Sequence, residues 1–293
     1  MKPNRLPISM KDKIFKSLLW LSASLILLLA AGMLYTLVSR STEAFGHFGF
    51  IGFITTADWD PKESAESYGA LSFIVGTILT AMLALLLCIP FSLPVALFNG
   101  EFFRGKKLAG VVGAVVDLLA GIPSIVYGLW GFYTLRPLMI TLGLSEQGFG
   151  VLAASIVLAI MIIPYASSLS TEFISMVPNE LKEGAYSLGA TRLEVVRTVS
   201  LPMAGPGIFV AYILALGRAL GETMAVTMLI GNTDNIPKSL VDTGNTMASI
   251  IANQFGEADG LKLSSLIAIG LLLFLITAII NSLAKLVMNR MSH

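Results

Sequence analysis

The chain has 293 residues, 55% of them hydrophobic and 13% charged, with a formal net charge of +1. Soluble domains carry about a quarter charged residues, so this composition points to a membrane-embedded protein and excludes intrinsic disorder. The even charge balance leaves no footprint for nucleic acid, and the single cysteine, Cys88, excludes an intrachain disulfide.

Six apolar runs follow one another, each near the roughly 20 residues needed to cross a hydrocarbon core of about 30 Å. The first, 18–38, is uncharged and follows a basic tail over residues 1–17. It is longer than the roughly 7–15 apolar residues of a signal peptide, and no small-residue cleavage site follows, so it is expected to stay as an anchor. The second, 70–98, carries Pro90 and Pro94, which are expected to kink its end. The third, 108–135, is interrupted by Asp117, and the fourth, 148–171, contains Pro164. The fifth, about 205–230, contains Arg218 and Glu222, and the last runs over 263–284.

Lysine and arginine set the orientation. One side collects thirteen: Lys2, Arg5, Lys11, Lys13 and Lys16 in the tail, Arg104, Lys106 and Lys107 after the second span, Lys182, Arg192 and Arg197 after the fourth, then Lys285 and Arg290. The other side has five, Arg40, Lys62, Arg136, Lys238 and Lys262, so both termini are predicted to be cytoplasmic. The expected architecture is an all-α integral membrane protein, with a tail over 1–17 and one six-helix domain over 18–293. The opposite-side segments 39–69 and 231–262 are long enough to receive a soluble partner. The first leans acidic, with Glu43, Asp58, Asp60, Glu63 and Glu66.

The stretch from Gly100 to Lys106 matches the phosphate-loop pattern G-x-x-x-x-G-K. Lys107 stands where Ser or Thr would hold Mg²⁺, and the motif sits in a turn between two apolar runs rather than between a strand and a helix. It reads as a basic turn. The chain is therefore expected to be no enzyme and to hold no cofactor, so any energy must come from a partner.

The one long polar segment on the basic side covers about 172–203. Pro178 can begin a helix there, Gly189 can end it, and Thr191 with Glu194 forms a capping box for a second helix. That second helix is expected to run to Val199 and stop before Pro202. A helix–glycine–helix elbow of this kind can dock into a cleft of another protein.

Charged residues inside a bilayer normally face a partner or a wet pathway. Arg218 and Glu222 stand four apart, which on one helix puts them on one face. They can neutralise each other, or Arg218 can present its planar donors to an oxyanion while Glu222 orients it. Gly217 and Gly221, on the same run, suit close helix packing. Asp117 can pair with Arg218, line the pathway, or bond locally when protonated. Beyond it, Gly121, Pro123, Ser124 and Tyr127 break the helical pattern, either as a simple kink or to line a cavity.

Two resemblances follow from these motifs. Glu183, Ala185, Gly189, Leu201 and Pro202 fall at the spacing of the EAA loop of ABC importer permeases, with Gly184 in place of an alanine and Val199 in place of an isoleucine. That resemblance implies a type I importer architecture and coupling helices seated in a groove of an ATP-binding subunit. Glu183 and Ala185 would be contact positions and Gly189 the hinge. ATP and Mg²⁺ would then be bound by the partner ATPase.

The stretches 119–124 and 218–225 resemble permeases of phosphate importers. The continuation Met224-Ala225-Val226 is similar to the PstC type, where the PstA type has Ala-Pro-Leu. Trp59-Asp60-Pro61, Tyr68-Gly69-Ala70 and Gly76-Thr77 are similar to the PstC type as well. The resemblance implies a bacterial inner-membrane subunit that passes inorganic phosphate along Arg218, Glu222, Asp117 and Ser124. Its implied partners are a PstA-type permease, a PstB-type ATPase dimer and a PstS-type phosphate-binding protein, periplasmic or lipid-anchored. The alternatives are the PstA-type subunit, a permease for sulfate or molybdate, and a secondary transporter, which would show paired half-repeats. A membrane hydrolase would need a base inside the bilayer, and His47 and His293 both lie outside the spans.

Overall fold

A computed structural model describes residues 10–61 and 66–291. Lys2 and Arg5 of the tail, Lys62, Glu63 and His293 lie outside the described residues. Helix α1 spans Met10–Phe48, so it begins eight residues before the predicted anchor and continues ten past it. At about 58 Å it outreaches the hydrocarbon core at both ends, and its apolar stretch is exposed throughout. The short α2, Phe50–Thr55, and a two-residue strand pair, Trp59–Asp60 with Ser67–Tyr68, follow it. The segment after residue 38 is therefore largely ordered rather than an open loop.

Helix α3 spans Leu71–Leu97 and widens into a π-turn over Phe98–Phe102. Pro94 lacks the N–H that would reach the Pro90 carbonyl. Nearby, Ser92 donates to the Cys88 carbonyl at 2.9 Å and lies 3.0 Å from the Tyr212 hydroxyl. The predicted third span is two helices. α4, Lys107–Ala120, is about 21 Å long, too short to cross alone. It meets a second rod, formed by α5 (Ser124–Trp130), a π-turn (Gly131–Leu135) and α6 (Arg136–Thr141), at a 91° bend. The pair follows the π-turn that ends α3, and Arg136 at the start of α6 donates to the Gln147 carbonyl shortly before α7, Val151–Ser175.

After α7 comes the elbow, α8 over Asn179–Ser187 and α9 over Arg192–Val195. The second elbow helix does not stop before Pro202. A π-turn, Val196–Ser200, joins α9 to α10, Leu201–Leu220, in one rod. Pro202 directly follows the π-turn, in which the Leu201 N–H bonds the Val196 carbonyl, and the rod continues through it without the bond that its missing N–H would make. α10 ends at Leu220, and the short α11, Met224–Thr227, follows a break. α12, Met247–Gln254, precedes the final α13, Gly260–Met291. Among the described residues, five helices are long and apolar enough to cross a membrane, and six crossings result if the bent pair is one broken span.

The middle core is built from α3, α5, α7, α10 and α11. Small residues such as Ala81, Ala84, Ala154 and Ala215 let the helices approach closely there. At one end an aromatic cluster closes the fold. Trp59 stacks edge-on against Tyr68 (4.8 Å between ring centroids) and Phe73 (5.1 Å), and its indole N–H donates to Gln254 at 3.1 Å. There, too, the Ser264 hydroxyl donates to the Arg40 carbonyl and accepts from the Ala44 N–H, tying α13 to α1. The elbow occupies the opposite end.

Candidate pathway and coupling sites

Two helix breaks lie beside each other on a face where Gly121, Pro123 and Gly221 are exposed. α4 finishes with Gly121 donating to the Asp117 and Leu118 carbonyls, and Pro123, extended at ψ 141°, starts α5. Breaking a helix frees carbonyls that must find partners. The Tyr127 hydroxyl takes one of them, donating to the Leu119 carbonyl at 2.8 Å across the gap. α5 then packs on α11 at Gly128, where an added Cβ would lie 2.8 Å from the Met228 sulfur and 3.1 Å from the Ala225 Cα.

The second break changes the expected relation between Arg218 and Glu222. Arg218 occupies the last turn of α10, where the helix dipole favours a cation. Glu222 lies in the break beyond it, no longer at i+4 on a continuous helix. Its carboxylate accepts the Ala225 N–H at 3.3 Å and so caps α11. Among the described residues no ion pair joins Arg218 to Glu222 or Asp117. The guanidinium instead lies 5.9 Å from the Tyr165 ring centroid, and the side chain is exposed on this single chain. A Cβ added at Gly217 would lie 3.4 Å from the Asn281 side-chain oxygen on α13, an ordinary contact, so the glycine is not required there by close packing, and Gly221 ends the helix.

Ser124 is half-buried in the first turn of α5, beside the break. Asp117 sits apart from that junction. It lines a cavity of about 140 Å³ with Asn99, Ser167, Ser168 and Thr171, nearer the elbow end. The buried Asn99 amide oxygen has no partner. The four pathway candidates thus divide: Arg218, Glu222 and Ser124 belong to the two breaks, and Asp117 to a separate polar cavity.

At the elbow, the capping box forms as the spacing predicts. Glu194 accepts the Thr191 N–H at 2.7 Å, and Thr191 accepts the Glu194 N–H. Gly189 takes φ +89°, which an L-residue adopts only under strain, and this reverses the chain between α8 and α9. Glu183 is exposed and Ala185 half-buried. Around them Leu181, Tyr186, Leu193 and especially Leu188, 91% exposed, present apolar surface with nothing over it.

Sequence reasoning missed Glu101, which lies inside the phosphate-loop look-alike. Its carboxylate receives the Lys182 ammonium at 2.6 Å and the Ser200 hydroxyl at 3.1 Å. The signal was a lone acid in an otherwise basic turn. Its partners, 81 and 99 residues away, could not be read locally.

Comparison with known proteins adds three kinds of finding. A family profile described as "Binding-protein-dependent transport system inner membrane component" matches residues 89–293. The phosphate transport system permease protein PstC of Pasteurella multocida is 40% identical, covering 98% of this chain and 94% of its own length. The PstC of Haemophilus influenzae is 41% identical, over 96% and 94%. Among solved structures, the inward-facing methionine ABC transporter MetNI aligns with a TM-score of 0.61 at 22% identity, over 74% of this chain and 94% of that one. A bacterial alginate ABC transporter, in complex with its pentasaccharide-bound periplasmic protein, aligns with a TM-score of 0.64 at 19% identity, over 94% of each. At those identities the structures share the fold.

Proposed function

Because the chain belongs to the binding-protein-dependent transport system inner membrane components, among the PstC permeases of phosphate transport systems, we propose that it forms one half of an ATP-driven pathway for inorganic phosphate. The carrying observation is the near full-length identity to PstC proteins. Physics adds Arg218: a guanidinium within an apolar run, with no carboxylate paired to it among the described residues, at the end of α10 where the helix breaks. Such a charge is costly in lipid and suits an anion through its planar donors.

In this reading, a homologous PstA-type permease covers the exposed face of Arg218 and closes the pathway. A PstB-type ATPase dimer binds ATP and Mg²⁺ and receives α8 and α9, with Glu183 and Ala185 at the contact and Gly189 as the hinge. A PstS-type phosphate-binding protein docks on the aromatic end. The basic residues then place both termini and the elbow in the cytoplasm of a bacterial cell with this subunit in its inner membrane. The permease contributes passage and coupling, and covalent chemistry stays with the ATPase.

Vesicles holding the reconstituted complex test this by uptake of labelled phosphate and labelled sulfate, with and without ATP. ATP-dependent uptake of phosphate alone is expected. Sulfate uptake at an equal rate, or phosphate uptake without nucleotide, would overturn it.

A further inference from the structure

The elbow is bound to two adjacent residues between α3 and α4, Glu101 and Phe102. From α8, Lys182 reaches Glu101 at 2.6 Å, with only 9% and 6% of the two side chains exposed. From the π-turn after α9, the fully buried Ser200 donates to the same carboxylate oxygen at 3.1 Å. From α9 itself, the Arg192 guanidinium donates to the Phe102 carbonyl and lies 4.7 Å over the Phe102 ring. Val195 of α9 and the adjoining Val196 are buried as well, while Leu181, Tyr186, Leu188 and Leu193 face outward.

A buried ion pair is a poor device for stability alone, since apolar residues of similar size often do as well or better. What such a pair supplies is a defined geometry, because either charge left alone is strongly disfavoured. Glu101 stands between two long elements. α3 precedes it and packs along α7, and α4 follows it, carrying Asp117 and leading to the break at 121–123.

We propose that Glu101 is a positioning residue for energy coupling. Through Lys182 and Ser200 it makes the α3–α4 turn move with the elbow, so displacement of α8 and α9 reaches the pathway helices directly. Without it, the elbow would keep only the Arg192 link to Phe102 and would pivot more freely about Gly189 and the start of α10, with α4 following it less closely. This rests on the proposed function as the permease of an ATP-driven importer.

The test is phosphate taken up per ATP hydrolysed by the whole complex in vesicles, with and without binding protein. The wild-type complex judges the underlying reading. If it takes up no phosphate, that reading falls, and the clamp is judged on stimulation of ATP hydrolysis by binding protein alone. For Glu101→Gln we expect unchanged recovery of the complex and unchanged basal hydrolysis. Uptake per ATP should fall about tenfold, within the range for residues on coupling networks. Exchanging the charges, Glu101→Lys with Lys182→Glu, should recover part of the loss. Glu101→Leu with Lys182→Met leaves no unpaired charge, so it should assemble and still uncouple. A wild-type ratio in Glu101→Gln or in the Leu/Met pair would overturn the proposal. Failure of both to assemble would make the pair a folding contact, and would overturn it equally.

Discussion

The aromatic end and the elbow end of the molecule are closed by different chemistry. At the aromatic end, Phe53, Tyr68, Phe73 and Met247 are fully buried against one another, and Trp59 is bonded to Gln254. The contacts of these buried side chains lie within the chain. The elbow end keeps Leu188, Tyr186 and Leu193 uncovered and holds its two helices through one buried ion pair, one hydroxyl and one guanidinium. Packing that is complete within a chain fixes a shape, whereas packing left incomplete with a defined hinge passes motion on from a partner. The aromatic end is thus a lid held by its own core, and the elbow is, in the proposed function, a lever that a second protein would move.

The largest expected effect attacks the lid. Trp59→Ala removes two ring contacts and the bond to Gln254. Large-to-small changes of this kind cost about 3–5 kcal/mol, so the purified permease should melt well below the wild type in a thermal unfolding assay. An unchanged midpoint would break the comparison at its first term.

At the elbow the signature should invert. Leu188→Ser removes a side chain that touches little within the chain, so the thermal midpoint should stay put. Association with the ATPase should weaken by about 1–3 kcal/mol, the value of one buried aliphatic side chain, and a pull-down or light-scattering titration measures it. A lowered midpoint with unaltered association would place Leu188 in the permease's own packing instead.

The smallest effect is one of pH, in the loop beside the lid. Burial pushes the Asp234 carboxyl above its ordinary range, against the opposing Asn245 bond and Lys262 charge. Asp242 is held below it by the Ser239 hydroxyl and by the Ser239 and Lys238 backbone N–H groups. Asp234 therefore contributes stability at low pH that is lost as pH rises through its folded value. Asp242 contributes stability at neutral pH that is lost as pH falls through its own. Asp234→Asn should raise the midpoint at pH 7 and Asp242→Asn should lower it. The Asp234 difference should fade below about pH 4, the ordinary range of an unfolded aspartate, whereas the Asp242 difference should persist to lower pH and fade only as its depressed folded value is passed. Shifts of the same sign at pH 7 would contradict the assignment.

The contrast between the ends was only half legible in sequence. The runs that became α3, α7 and α13 were readable because uninterrupted apolar length has one meaning in a bilayer. So were the capping box at Thr191 and the turn at Gly189, whose signals are local. The helical extension of α1 over 39–48 was hidden by its polar residues. The π-turns at 98–102, 131–135 and 196–200 follow from packing, not from local preference. Pro123 announced a break but not its 91° angle. Glu222 looked like a partner for Arg218 because helical spacing was assumed to continue through Gly221. The Glu101–Lys182 pair lay beyond any local pattern. For the candidate site, residue chemistry singled out the charged side chains, and only the fold showed that Asp117 stands apart from the other three.

Arg218 carries the central claim that this chain lines a path for an anion. The most direct measurement is labelled phosphate uptake by the Arg218→Ala complex, with assembly and basal ATP hydrolysis followed in the same vesicles. Losing a charged partner of this kind costs about 2–5 kcal/mol, so uptake should fall about a hundredfold or to background, with the complex intact. Uptake at the wild-type rate in an intact complex would contradict the claim.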